Sequence, residues 1–215
     1  MGLKAPGRRL RHTALMVVER HGARALHSVT DMVGHTPLVE VSSLSPNPEV
    51  RLFAKLEMQN PTGSVKDRIV LRILTDAIAT GALGPGQTIV EASTGNTGVA
   101  LAMFGRLLGH PVVVCVPESV YPEIEELLGA YGATIKWVPR QAGIKSAREV
   151  ARAFAAETGA FYLGQFDSPL NVQAHYETTG SEILDDLGTV DVLVAGMGTG
   201  GTITGVGRRL KEANP

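Results

Sequence analysis

Three short stretches of this chain carry residues whose types and spacing could do chemistry. The first is Asn60-Pro61-Thr62-Gly63-Ser64-Val65-Lys66-Asp67-Arg68, between the strand-like Leu52–Leu56 and an amphipathic segment. Ser64, followed three residues later by Asp67, reads as a variant capping box, which starts a helix at about Val65 and puts Lys66 in its first turn. An ammonium is badly placed there, because the helix dipole is positive at that end. The dipole and partial burial both favour the neutral amine, the form that Schiff-base chemistry requires. The same spacing also suits an ordinary surface lysine near a helix start. In the second stretch, Glu91-Ala92-Ser93-Thr94-Gly95-Asn96-Thr97-Gly98, hydroxyls, an amide and two glycines lead from a strand into a helix. Such a loop offers backbone and side-chain donors to a carboxylate, or is a simple helix cap. The third, Gly196-Met197-Gly198-Thr199-Gly200-Gly201-Thr202, has the makings of a phosphate cradle. Its glycines let backbone approach phosphate oxygens and its threonines add hydroxyl donors, although a flexible Gly-rich turn reads the same way. It is no P-loop, since no Gly-Lys-Ser/Thr follows, and the acidic ribose ligand of a nicotinamide site is missing at the right distance.

The segments that must hold these loops alternate. Thr88–Glu91, Val112–Val116, Thr134–Val138 and Val190–Ala195 read as buried strands. Val65, Ile69, Ile73 and Ala77, with Val70, Leu74 and Ile78 beside them, form one apolar stripe of a helix. Val99–Leu108, Ala147–Thr158 and Asn171–Leu187 read as helices, and another runs from the third loop to Leu210. This alternation predicts an open α/β sheet with helices on its faces, in which ligands collect where strands lead into helix N-termini. Composition agrees: 44% of the 215 residues are apolar and 19% charged. A net charge of -1 and few aromatics argue against a nucleic-acid partner. No apolar stretch is long enough to span a bilayer, and no metal-ligand constellation is read. The single cysteine, Cys115, sits in an apolar run; an internal disulfide is impossible, which fits a reducing, cytoplasmic setting. Residues 1–30 read as a basic N-terminal extension, with Lys4, Arg8, Arg9, Arg11, Arg20 and Arg24 against Glu19, and Met16 as an alternative start.

Taken together, the loops resemble the cysteine synthase and cystathionine β-synthase family of pyridoxal-phosphate enzymes, from Gly34-His35-Thr36-Pro37-Leu38-Val39 onward. Asn60–Arg68 resembles its cofactor-lysine motif, Ser93–Thr97 its substrate-carboxylate loop, and Gly198–Thr202 its phosphate loop. Gln165-Phe166 and His175-Tyr176-Glu177-Thr178-Thr179-Gly180 are similar to a stretch of the cysteine synthases. The resemblance implies two open-sheet α/β domains of fold type II (tryptophan synthase β-like) with the cofactor between them. The N-terminal domain would run over residues 31–170, with residues 36–58 able to pair with the second domain. Residues 171–215 would begin a truncated cofactor-phosphate domain. It implies Lys66 as the cofactor lysine, Asn96 at the ring hydroxyl, and Gly198, Thr199, Gly200, Gly201 and Thr202 at the phosphate. Ser93, Thr94, Thr97 and Gln165 would take the substrate carboxylate. The implied reaction is β-replacement making L-cysteine from O-acetylserine and sulfide, in a homodimer. Cystathionine β-synthase, an O-phosphoserine-using synthase and a non-catalytic binding protein are the alternatives. Three departures bear on this. The family continues further and supplies a Ser or Thr to the pyridine nitrogen. Tyr121-Pro122-Glu123-Ile124-Glu125 stands where many members carry Ser-x-Glu-Arg-Arg. Ser93-Thr94 reverses the usual order.

Overall fold

The computed structural model describes residues 26–215, so the basic extension expected over residues 1–30 lies outside the described residues as far as residue 25. The described chain opens with a 3-10 turn at Val29–Met32 and a small antiparallel hairpin, β1 (Leu38–Glu40) on β2 (Phe53–Lys55). It then alternates α1 (Lys66–Thr80), β3 (Ile89–Ala92), α2 (Asn96–Leu107), β4 (Val112–Pro117), α3 (Pro122–Ala130), β5 (Thr134–Val138), α4 (Gly143–Thr158) and β6 (Phe161–Tyr162). Strands β5-β4-β3-β6, in that order, form one parallel sheet, with Ile89 level with both Val112 and Phe161 and Val113 level with Thr134. This is the α/β class expected.

Every residue of β3 and β4 is buried, as parallel strands covered on both faces require. The two-residue period sorts their side chains into two layers. Ile89, Val112, Val114 and Val116 join Ile69, Val70, Ile73, Leu74, Leu101 and Phe104 on the face covered by α1 and α2. Val90, Ala92, Val113 and Cys115 face Ala147 and Ala151 of α4. Helix α1 buries Ile69, Val70, Ile73, Leu74 and Ala77 of the predicted stripe, whereas Ile78 falls off it, 40% exposed. The helix ends at Gly81, whose φ of 76° is a left-handed stop. Helix α2 lies against β4 at Gly105, where an added Cβ would come within 2.4 Å of Val112 Cγ2.

The single helix expected over Asn171–Leu187 is instead three joined pieces: α5 (Pro169–Ala174), a π-helical turn (His175–Thr179) and α6 (Gly180–Leu187). Helix α7 (Gly201–Ala213) packs across them, and Ile183, Val206 and Leu210 make a separate apolar cluster there. One strand expectation fails. Val190–Ala195 forms no ladder, and Val192 and Val194 are 75% and 87% exposed. β-branched residues favour extended backbone, but a strand exists only when a neighbour takes up its N–H and C=O groups; among the described residues none does. No helix among the described residues is long and apolar enough to cross a membrane.

Candidate functional site

Lys66 is the first residue of α1, where the sequence puts it. It is half-buried, and burial lowers its amine below the ordinary lysine value. The turn is not capped as the Ser64/Asp67 spacing predicts. Ser64 Oγ accepts from Lys66 N at 3.2 Å, while the Asp67 carboxylate turns away from Ser64. It accepts from Thr62 N at 2.7 Å and from the Thr62 hydroxyl, which closes the Pro61–Ser64 loop onto the helix. Burial raises the Asp67 carboxyl above its usual range despite these bonds.

The 91–98 loop leaves the carboxyl end of β3 and enters α2. Ser93 Oγ is occupied within the loop, accepting from Gly98 N at 2.9 Å and Gly95 N at 3.2 Å. Thr94 and Asn96 are exposed at the mouth, and Thr97 is buried. The Thr97 hydroxyl donates to Gln165 Oε1 at 2.7 Å, and Gln165 Nε2 reaches Ala92 O at 3.3 Å. The structure therefore joins two residues 68 positions apart that the sequence picks out separately. Glu91, fully buried, ties the same two segments: its carboxylate accepts from Ala92 N at 2.7 Å and Gln165 N at 2.9 Å. Burial pushes its carboxyl up to about 7 against the pull of those amides.

The 196–202 loop feeds α7. Gly200 has φ 84°, a conformation for which glycine is the ready residue. The helical ladder begins with Thr204 N donating to Gly200 O at 3.0 Å, so the amides before it have no helical acceptor. Asn171 Nδ2 donates to Thr199 Oγ1 at 2.9 Å and to Gln165 O at 2.8 Å. His175 Nε2 lies 3.1 Å from Thr202 Oγ1. Thus α5 and the π turn link the third loop to Gln165, and through Gln165 to the 91–98 loop. The charges of Lys66 and Arg68 act on His175 as well; burial first, then those cations, lowers its imidazole to about 4.

Sequence reasoning missed what anchors Lys66. Arg68, two residues on and with its side chain 1% exposed, bridges two carboxylates from distant segments. Its Nε donates to Glu57 Oε2 at 2.7 Å, and Nη1 and Nη2 donate to Glu182 at 2.6 and 2.8 Å. Lys55 Nζ completes the group 2.8 Å from Glu182. The sequence offers only four charged residues, Lys55, Glu57, Arg68 and Glu182, in three separate stretches, with nothing to say that they meet. Of two clefts beside His35–Pro37, one is lined by Lys55 and Glu182 of this cluster, and neither is lined by Lys66. Among the described residues, no group of three or more His, Cys, Asp or Glu side chains could hold a metal ion.

A phosphorylated pyridoxal fits these features. It asks for a partly buried amine of lowered pKa, a glycine-rich helix start with amides and hydroxyls for a phosphate, and a second helix N-terminus for an acid group. The structure has each of them. Comparison with known proteins agrees. The sequence profile described as "Pyridoxal-phosphate dependent enzyme" matches residues 29–215. A cysteine synthase of a Flavobacterium species (strain K3-15) is 42% identical over 187 residues, which are 86% of this chain and 61% of that protein. The crystal structure of an O-ureido-L-serine synthase superposes with a TM-score of 0.86 at 41% identity, over 89% of this chain and 61% of that one. A hydrogen sulfide-producing enzyme from Fusobacterium nucleatum gives 0.84 at 35% identity, over 89% and 64%. The chain thus spans about three fifths of the length of the relatives it matches.

Proposed function

Because the chain belongs to the pyridoxal-phosphate dependent enzyme family, we propose that it works by β-replacement on an amino acid, making L-cysteine from O-acetylserine and sulfide. One observation carries this reading: a lysine with a lowered amine pKa opens α1, near enough for its charge to act on His175, which meets Thr202 at a glycine-rich helix start. Lys66 holds the cofactor, and Gly198, Thr199, Gly200, Gly201 and Thr202 take its phosphate, with Asn96 at the ring hydroxyl. When bound, the cofactor supplies an electron sink for the substrate α-carbon. Lys66 Nζ removes the α-proton, the step a neutral amine suits. The substrate carboxylate lies against the first turn of α2, received by Ser93, Thr94, Thr97 and Gln165. The Thr97–Gln165 hydrogen bond supports this by bringing two of these side chains together, with the Thr97 proton turning from Gln165 to the carboxylate when the ligand arrives. The separate cluster of Ile183, Val206 and Leu210 supports a second unit over residues 171–215. Cytoplasmic residence and pairing of two copies complete the reading; the lone buried thiol suits a reducing compartment.

A second reading has its own support. The match to an O-ureido-L-serine synthase points to the same β-carbon chemistry with an oxygen nucleophile in place of sulfide. Tyr121–Glu125, which departs from the cysteine synthase pattern, supports a changed second substrate. The decisive experiment loads the protein with pyridoxal phosphate, reduces it with borohydride and maps the labelled peptide, then assays O-acetylserine with sulfide. Label on Lys66 and cysteine formation are expected. Label on another lysine refutes the site, whereas labelled Lys66 without turnover on any β-substituted alanine favours a non-catalytic binding protein.

A further inference from the structure

A phosphate dianion only accepts hydrogen bonds, so a hydroxyl serves it only when its proton points outward. At the 198–202 loop that direction is decided by the layer beneath. Asn171 Nδ2 donates to Thr199 Oγ1 at 2.9 Å, and Gly201 N approaches the same oxygen at 3.4 Å. The amide orientation is fixed, because reversing it would set Oδ1 against the Gln165 carbonyl that Nδ2 meets at 2.8 Å. Thr199 Oγ1 is therefore supplied with donors from below, and its own proton is free to face a ligand.

His175 stands four residues on, and does the corresponding thing for Thr202. It is 1% exposed, with Nε2 3.1 Å from Thr202 Oγ1 and Nδ1 3.0 Å from Thr179 Oγ1. Burial, with Arg68 and Lys66 nearby, keeps the ring neutral down to about pH 4, so it carries one N–H. The π-helical turn sets Thr179, four residues on, within reach of Nδ1. Helix α7 lies close against this support. An added Cβ at Gly201 would lie 1.8 Å from Asn171 Oδ1, and one at Gly205 would lie 2.3 Å from Val172 O and 2.8 Å from His175 Cβ.

We propose that Asn171 and His175 are positioning residues for a phosphate monoester at the 198–202 loop, each donating an N–H to a threonine hydroxyl so that both hydroxyl protons face the ligand. The imidazole is then the Nε2–H tautomer, with Thr179 donating to Nδ1. The inference rests on the phosphate-cradle reading given above.

The test compares pyridoxal phosphate with pyridoxal, which lacks only the phosphate, by titration into the cofactor-free full chain. The unmutated protein should prefer the phosphorylated form. His175→Phe should cost about tenfold or more in affinity for pyridoxal phosphate and about twofold or less for pyridoxal, the size of one charge-assisted hydrogen bond. His175→Gln, whose amide N–H reaches the Nε2 position, should recover most of the loss. In a Thr202→Val background the His175→Phe effect should nearly vanish. Asn171→Asp, which puts an acceptor against Thr199, should lose the same preference. The ¹⁵N spectrum of the unmutated protein should show Nε2 of His175 protonated and Nδ1 bare. A wild type without preference for the phosphorylated ligand overturns the cradle reading itself. With that preference intact, any of three results overturns this inference alone: the reverse tautomer, equal losses for both ligands, or a His175→Phe effect that survives in Thr202→Val.

Discussion

Replacing Glu182 by glutamine removes one charge from the anchor of Lys66 and keeps its shape. Glu182 Oε1 accepts from Arg68 Nη1 at 2.6 Å and His35 N at 3.0 Å, and Oε2 from Arg68 Nη2 at 2.8 Å and Lys55 Nζ at 2.8 Å. Burial pushes its carboxyl up, but the bonds from Arg68, Lys55 and the His35 amide outweigh burial and hold it at about 2, against an ordinary 4.5. The side chain is 10% exposed, so solvent screens little of this. The difference between those two values corresponds to about 3 kcal/mol favouring the ionised folded state. Glutamine also turns an N–H toward one of these donors, which adds to the loss. The folded pKa lies below the unfolded one, so the contribution is full above about pH 4.5 and falls as the pH drops toward 2, with about half left near pH 3.3. Urea unfolding of Glu182→Gln and wild type at pH 7, 5 and 3.5 checks it. The difference should be about 3 kcal/mol at pH 7 and clearly smaller at pH 3.5. The titration of His175, present in both proteins, cancels in that difference. A gap under about 1 kcal/mol at pH 7, or one that ignores pH, would show that the Arg68 cluster does not tether Lys66.

Gly201→Ala should destabilise the protein by about 1–3 kcal/mol, because its Cβ would meet Asn171 Oδ1 at 1.8 Å, while Gly198→Ala, with open space around it, should change little. Equal denaturation midpoints for the two variants would contradict the packing of α7 on α5. Borohydride-trapped capture of pyridoxal phosphate by Lys66 should reach half its plateau at lower pH than capture by a free lysine side chain, since burial lowers the Lys66 amine and more of it is neutral at a given pH. A midpoint at or above the ordinary lysine value would remove the electrostatic argument for that residue.

What the sequence discloses about this chain is its local periodicity. The runs Val112–Val116 and Thr134–Val138 become strands almost residue for residue, because short β-rich runs between turns have few other uses, but only the first is buried as expected: Thr134–Val138 is the sheet edge, with Trp137 43% exposed. Lys66 at a helix start is legible for the same reason. Its capping is not: Asp67 has two donors to choose from within six residues, and Thr62 wins over Ser64. Val190–Ala195 shows the limit of a local rule, since its pattern is that of a strand and its pairing depends on residues elsewhere. The bonds that define the site span far greater distances. Arg68 meets Glu182 across 114 positions and Thr97 meets Gln165 across 68, separations at which side-chain type alone selects no partner. The π turn is equally silent, because His175–Thr179 has the composition of an ordinary helical segment.

Cys115 occupies the middle layer of β4, fully covered by its neighbours and α4, and burial pushes its thiol up to about 11. It is the one thiol in the chain. A thiol reagent can reach it only when the sheet parts, so its labelling rate is a clock for that opening, read on a single site. The 91–98 loop leaves the carboxyl end of β3, where Ala92 is level with Cys115. Ligand binding that shores up the native state would slow that clock in proportion to ligand concentration, whereas closure of the loops alone would leave it running at its own pace. One residue with no part in the chemistry can thus separate what a cofactor does to the frame from what it does to the mouth of the site.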